Sequence, residues 1–258
     1  MRRYRAHLRR ALVSFVSLAS LSYATMAYSL HTSHALAQQS IVAPRPAATP
    51  APGAPALVPA PTAPADHPSV VALGDSVPAG ASCHCRNFVS DYADLLARRV
   101  GRQVTVSNFA QGGARTQDVL AQLRQPTVRR ALDHATTVVL MVGANDFHRP
   151  FKRVRSGAKK TTEYGPAARR VQQNVERTIR QIRSLHDGPV TIVVLGYWNV
   201  AKDGKVGRRE YGAAGVQAAK SATGWANGAL KAAARSGHAV YVPTYKAFKG
   251  AHGRKDPT

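Results

Sequence analysis

Acidic residues are scarce in this chain. Only 13 Asp and Glu stand against 36 Lys and Arg in 258 residues, a formal net charge of +23, so attraction to polyanions is present before any fold is considered. Cysteine is nearly absent too. The two that occur, in Cys83-His84-Cys85, cannot make a disulfide-dense scaffold and lack the second ligand pair of a structural zinc site. A bridge across their single intervening residue would be a strained small ring. Beyond residue 30 no apolar run is long enough to span a bilayer, and no internal repeat is present. With 44% hydrophobic residues the chain is neither wholly disordered nor collagen-like, so an ordinary apolar core must do the folding.

The opening residues read as an address. Met1–Arg10 is basic, Ala11–Leu30 is apolar, and Ala35-Leu36-Ala37 has the small-x-small pattern of a signal-peptidase site. Residues 1–37 are therefore a signal peptide or an uncleaved signal anchor. Ser14, Ser17, Ser20 and Ser22 thin the apolar stretch and favour cleavage. Both readings place the folded part outside the cytoplasmic membrane, secreted or in the cell envelope. Residues 38–67 form an Ala/Pro-rich linker holding eight of the 16 prolines, too short of backbone donors to pack as a helix or central strand. The folded domain is assigned to residues 68–258.

Within that domain, strand patterns alternate with helix patterns. Strands are expected at Ser69–Leu73, Gln103–Asn108, Thr137–Val142, Val190–Leu195 and Ala239–Val242. Helices are expected at Phe88–Val100, at Thr116–Arg124 with a continuation past Pro126 to Asp133, and at Ala213–Ser236. A further helix carries Ala168, Val171, Val175, Ile179, Ile182 and Leu185 on one face. Strand-helix alternation with β-branched runs predicts an α/β fold whose parallel sheet is covered on both faces, a three-layer α/β/α sandwich.

In such sheets functional groups gather beyond the carboxyl ends of the strands. Three ends carry unusual polar blocks: Gly74-Asp75-Ser76, then Asn108-Phe109-Ala110-Gln111-Gly112-Gly113, then Gly143-Ala144-Asn145-Asp146. In order and placement these blocks resemble the SGNH, or GDSL, hydrolase family of serine esterases and lipases, over about Ser69 to the end. The resemblance implies a five-stranded flavodoxin-like sheet and an exported serine ester hydrolase acting through an acyl-enzyme on Ser76. It also implies an oxyanion hole from Ser76, Gly113 and Asn145, since a developing oxyanion needs pre-aimed donors. The adjacent Gly112 leaves the glycine's alignment open by one position. Asp75 is read as shaping the turn. Pro78 stands where a G-x-S-x-G elbow has its second glycine, which separates this pattern from that of α/β-hydrolases.

Family members carry an Asp-x-x-His block after the last strand, and the chain passes Ala239–Val242 to Thr258 without one. The expectation is a C-terminally incomplete domain whose final covering helix is missing, with an apolar face left exposed. His148 and His252 are the nearby histidines, and neither falls in the motif. The resemblance suggests a loop clip for Cys83 and Cys85, and no cofactor or metal is expected.

Arg149, Lys152, Arg153, Arg155, Lys159 and Lys160 follow the third block with no acid among them. They read either as a surface for anionic lipid or cell-wall polymer or as a solvated loop. Nucleic acid is not an expected partner of an exported chain. Tyr197 and Trp198, after the fourth strand, line a substrate pocket or pack in the core. The substrate class is an ester, of lipid or of acylated sugar. The rival reading is a catalytically inactive module of the same fold that binds anionic envelope lipid or polymer.

Overall fold

The computed structural model describes residues 68–81 and 86–250. The expectations for residues 1–67, for Cys83-His84-Cys85 and for His252 lie outside the described residues. In chain order the elements are β1 (Ser69–Gly74), α1 (Ser76–Ala79), α2 (Phe88–Val100), β2 (Thr105–Asn108), α3 (Thr116–Gln122), α4 (Pro126–Asp133) and β3 (Thr137–Met141). They continue with α5 (His148–Arg155), α6 (Tyr164–Ser184), β4 (Thr191–Leu195), α7 (Gly204–Ser236), β5 (Val240–Val242) and α8 (Thr244–Lys249). Short 3-10 turns occupy Ala144–Phe147 and Thr161–Glu163.

The strands form one sheet in the order β2-β1-β3-β4-β5, every neighbouring pair parallel. α3 and α7 both pack against α6, whereas α2 packs on β1 and β2, and the right-handed crossovers usual in parallel sheets put these groups on opposite faces of an α/β/α sandwich. β1 and β3 lie inside the sheet, and Val70–Leu73 and Thr137–Met141 are buried throughout. Ala72 pairs with Asn108 and Gly74 with Met141. The carboxyl ends of β1, β2 and β3 therefore finish side by side, and this register positions the site.

Each helix has a local cause. Asn87 caps α2 through the Ser90 N–H at 3.0 Å, and Gly101 closes it in the left-handed region at φ 66°. α6 buries Ala168, Val171, Val175, Ile179 and Ile182 along one stripe, each large side chain contributing about 1.5–3 kcal/mol. It packs on α7, whose buried residues are mostly alanine and so permit a close approach.

Four details differ from the sequence expectation. Thr116–Asp133 is two helices, because Pro126 sits in the first turn of α4 and holds Gln125 extended at ψ 130°. The alanine-rich helix is preceded by a further helical segment from Gly204, parted from it by a kink at Gly212, φ 70° and ψ −179°, just before the expected start at Ala213. The cationic stretch after Asp146 is no simple loop: α5 spans its first half, with Pro150 and Phe151 buried beneath the charges. A six-residue helix, α8, follows β5, where the final covering helix was expected to be missing. Among the described residues the exposed large apolar side chains are Val100, Val106, Trp225 and Val240.

Gly74 ends β1 where a side chain has no room. A Cβ there would lie 2.2 Å from the Met141 carbonyl oxygen and 2.7 Å from Pro78 Cγ. Gly74→Ala should lower stability by about 1–3 kcal/mol or more, read as an earlier urea midpoint. Gly112→Ala should shift that midpoint little, because its Cβ would meet only Ala81 Cβ at 3.8 Å.

Candidate functional site

Ser76 opens the single turn of α1 directly after β1. The preceding Asp75 caps that turn: its Oδ1 accepts the Val77 N–H at 3.0 Å, and its own N–H donates to the Met141 carbonyl of β3 at 3.0 Å. The cap satisfies the second N–H of the helix, not the first. The Ser76 N–H and Oγ accordingly have no partner among the described residues.

The second and third blocks lock onto this turn. The Gln111 N–H donates to the Gly74 carbonyl at 2.9 Å, and Asn108 Nδ2 donates to the Pro78 carbonyl at 2.8 Å. Gly113 has φ 81°, a conformation that side chains resist, whereas Gly112 is not among the positive-φ glycines. Asn145 Nδ2 donates to the Ala114 carbonyl at 2.9 Å, which spends one amide hydrogen and leaves the other. The Asp146 carboxylate accepts the Thr116 N–H at 3.0 Å and its Oγ1 hydroxyl at 2.8 Å, and Asn174 of α6 donates to Thr116 Oγ1 at 2.9 Å. Ser76, Gly113 and Asn145 are thus drawn to one edge of the sheet.

Four residues brace the site, and of these the sequence reading singled out only Tyr197. Tyr197 donates its hydroxyl to Asp75 Oδ2 in a short hydrogen bond between two nearly inaccessible side chains. Asn227 of α7 holds Tyr197 by its backbone, accepting from its N–H at 2.7 Å and donating to its carbonyl at 2.8 Å. Thr116 and Asn174 brace Asp146 as described. Polar residues of the blocks could have been suspected of needing partners, but nothing in the local sequence marks Asn174 or Asn227. Trp198 is buried and stacks on Phe248 of α8 at 4.3 Å, so Tyr197 and Trp198 both belong to the core side of the two readings.

Burial dominates the electrostatics. It pushes the Asp75 carboxyl from 3.8 up to about 6, while the hydrogen bonds from Tyr197 and Val77 restrain the rise. Burial, then the Asp75 charge, push the Tyr197 hydroxyl well above its ordinary value. Asp146 is raised by burial and pulled back by Thr116 and by the positive charges of Arg115 and Arg170. His148 is exposed at the start of α5 and bonds nothing at Ser76. Among the described residues no side chain accepts a proton from Ser76 Oγ.

Comparison with known proteins converges on one family. Residues 72–257 match the family model of the GDSL-like lipase/acylhydrolase family. The uncharacterized protein YpmR of Bacillus subtilis (strain 168) is 27% identical over 131 residues, 50% of this chain and 51% of that protein. The chain therefore spans about half the length of that curated relative. Among solved structures, the lipase Lip_vut3 from a goat rumen metagenome has a TM-score of 0.57 at 19% identity, covering 71% of this chain and 84% of that one. An extracellular lipase from Streptomyces rimosus has a TM-score of 0.50 at 22% identity, covering 68% and 80%. Both share the fold.

A carboxyl that is harder to ionise when folded leaves a mark on stability. Its contribution is fully present below pH 3.8 and is lost as pH rises through about 6, a difference of about 3 kcal/mol. Urea unfolding from pH 4 to 7.5 should show wild type losing up to about 3 kcal/mol more than Asp75→Asn. Parallel curves would show that Asp75 does not titrate in this window.

Proposed function

The chain belongs to the GDSL-like lipase/acylhydrolase family, and from that premise we propose that it is an exported serine ester hydrolase acting through an acyl-enzyme on Ser76. The observation that carries the reading is the Asn145 amide held at 2.9 Å on the Ala114 carbonyl, next to Gly113 and level with the Ser76 turn. Ser76 Oγ attacks the ester carbonyl carbon, and the carbonyl oxygen takes up negative charge. The Ser76 N–H, the Gly113 N–H and the remaining Asn145 amide hydrogen then donate to that oxygen. Collapse of the adduct breaks the C–O bond to the alcohol, which leaves with the proton given up by Ser76 Oγ, and water then cleaves the acyl-serine, releasing the acid and restoring the hydroxyl. Donors fixed before reaction need no reorganisation when charge develops, which is why their loss is expensive.

Export follows from the basic-then-apolar leader and the Ala-x-Ala site in residues 1–37, and the proline-rich linker would space the domain from the membrane. The natural ester is that of a lipid or an acylated sugar, and anionic lipid or cell-wall polymer is the partner suggested by the +23 charge.

One observation favours a second reading. Among the described residues no side chain accepts from Ser76 Oγ. An unassisted hydroxyl is a poor nucleophile near neutrality, so the domain would then serve as a non-catalytic binder of anionic envelope lipid or polymer.

A p-nitrophenyl ester assay separates the two. The hydrolase reading expects Ser76→Ala to abolish turnover and Asn145→Ala to lower kcat by about 10²–10³. Equal rates for wild type and Ser76→Ala reject serine catalysis. Retention on anionic vesicles that survives Ser76→Ala, with no turnover in wild type, selects the binding module.

A further inference from the structure

Two arginines flank the candidate site from different elements, and neither has an anion of its own. Arg115 follows Ala114, the residue whose carbonyl holds Asn145, and its backbone N–H is occupied by Asp118 Oδ2 at 2.8 Å. Its guanidinium makes no ion pair or hydrogen bond among the described residues. Arg170 lies one helical turn before Asn174, which donates to Thr116 Oγ1, so both project from the α6 face that meets the site. The Arg170 guanidinium is likewise unpaired among the described residues and exposed.

The obvious counter-ion, Asp146, is already spent. Both its oxygens accept from Thr116, and although both arginine charges reach it and pull its carboxyl down against the effect of burial, neither comes within ion-pair distance. Elsewhere in the molecule arginines beside acids do close such pairs, as Arg86 does with Asp94 and Arg153 with Glu163. Next along the chain, α5 brings further positive charge, with Arg149 and Lys152 exposed and unpaired among the described residues. Among the described residues Asp146 is the carboxylate that the charges of both arginines reach, and the rim beside Asn145 is net cationic.

We propose that Arg115 and Arg170 form an anion subsite beside Asn145, so that the preferred substrate is an ester carrying a phosphate or carboxylate close to the scissile carbonyl. The inference rests on the hydrolase reading for the site it names. A guanidinium presents a planar fork that matches either oxyanionic group, and the two forks come from separate elements, one from the residue before α3 and one from α6. Both arginines stand on the rim, so the anion remains near water and the ester end enters the crevice.

The test uses the full chain carrying Ser76→Ala, so binding is read without turnover. Calorimetry compares short-chain dihexanoyl phosphatidic acid, below its micelle concentration, with neutral dihexanoylglycerol. The expected result is about tenfold tighter binding of the anionic ester. Arg115→Gln and Arg170→Gln should each reduce that preference, the double variant should remove it, and Arg129→Gln on the distant α4 should leave it unchanged. The preference should also shrink in high salt on the unsubstituted surface, a readout that does not depend on any arginine variant folding. Equal affinity for the two esters overturns the proposal, as does an equal loss in Arg129→Gln. Binding to phosphatidylglycerol vesicles without binding of the soluble anionic ester also overturns it, because that is adsorption to a charged surface. If the anionic preference holds while the wild-type chain hydrolyses no ester, the subsite stands and only the hydrolase reading falls.

Discussion

Burying Asp75 between Tyr197 and the first turn of α1 costs hydration that its hydrogen bonds only partly return, and the position of Ser76 depends on that arrangement. The carboxylate is the one group that touches the Ser76 turn and the end of β4 at once, while its backbone is tied to the end of β3. Asn227 then fixes Tyr197 from α7. A chain of hydrogen bonds therefore runs from a helix on the sheet face, through the strand ends, to the backbone N–H of Val77, the residue after Ser76. Because every link is buried or backbone-anchored, the turn has few ways to relax, and its unspent N–H points where the fold leaves it.

The same economy explains the charge pattern. With few acids available, the protein commits most of those described to pairs that staple local structure: Asp94 with Arg86, Glu210 with Lys202, and Asp203 with Lys249 in the most buried pair. That last pair joins α8 to the segment before α7, next to the Trp198–Phe248 stack. Arg155 is also consumed, lying over the Tyr211 ring at 4.8 Å. The positive charge around the site is what remains after these uses, so it is more selective than the +23 total suggests. An anion approaching from a distance meets the whole field, whereas one beside Asn145 meets Arg115 and Arg170.

Much of this architecture is legible in the sequence because its causes are local. Val70–Leu73 and Thr137–Met141 read as buried strands since nothing in them tolerates water, and α2 runs from Phe88 to Val100 because Asn87 and Gly101 supply both caps. Ser76, Gly113 and Asn145 were visible because each block sits at a strand end. The bracing partners were not, since Asn174 and Asn227 act on residues 58 and 30 positions away and look like any polar residue on a helix. Arg149–Lys160 misled because charge density reads as loop, while two buried residues, Pro150 and Phe151, suffice to seat α5.

Separating donors from base follows from the same topology. The donors proposed for the oxyanion follow the ends of β1, β2 and β3, which are neighbours in the sheet. Among the described residues these strand ends bring no side chain that accepts from Ser76 Oγ. The two functions can therefore be lost or gained independently, and serine hydrolases stripped of triad members retain about 10³–10⁴-fold catalysis over water from the oxyanion hole and binding alone. The bonds that Asp75 makes to Val77 and Tyr197 hold the Ser76 turn without involving any base.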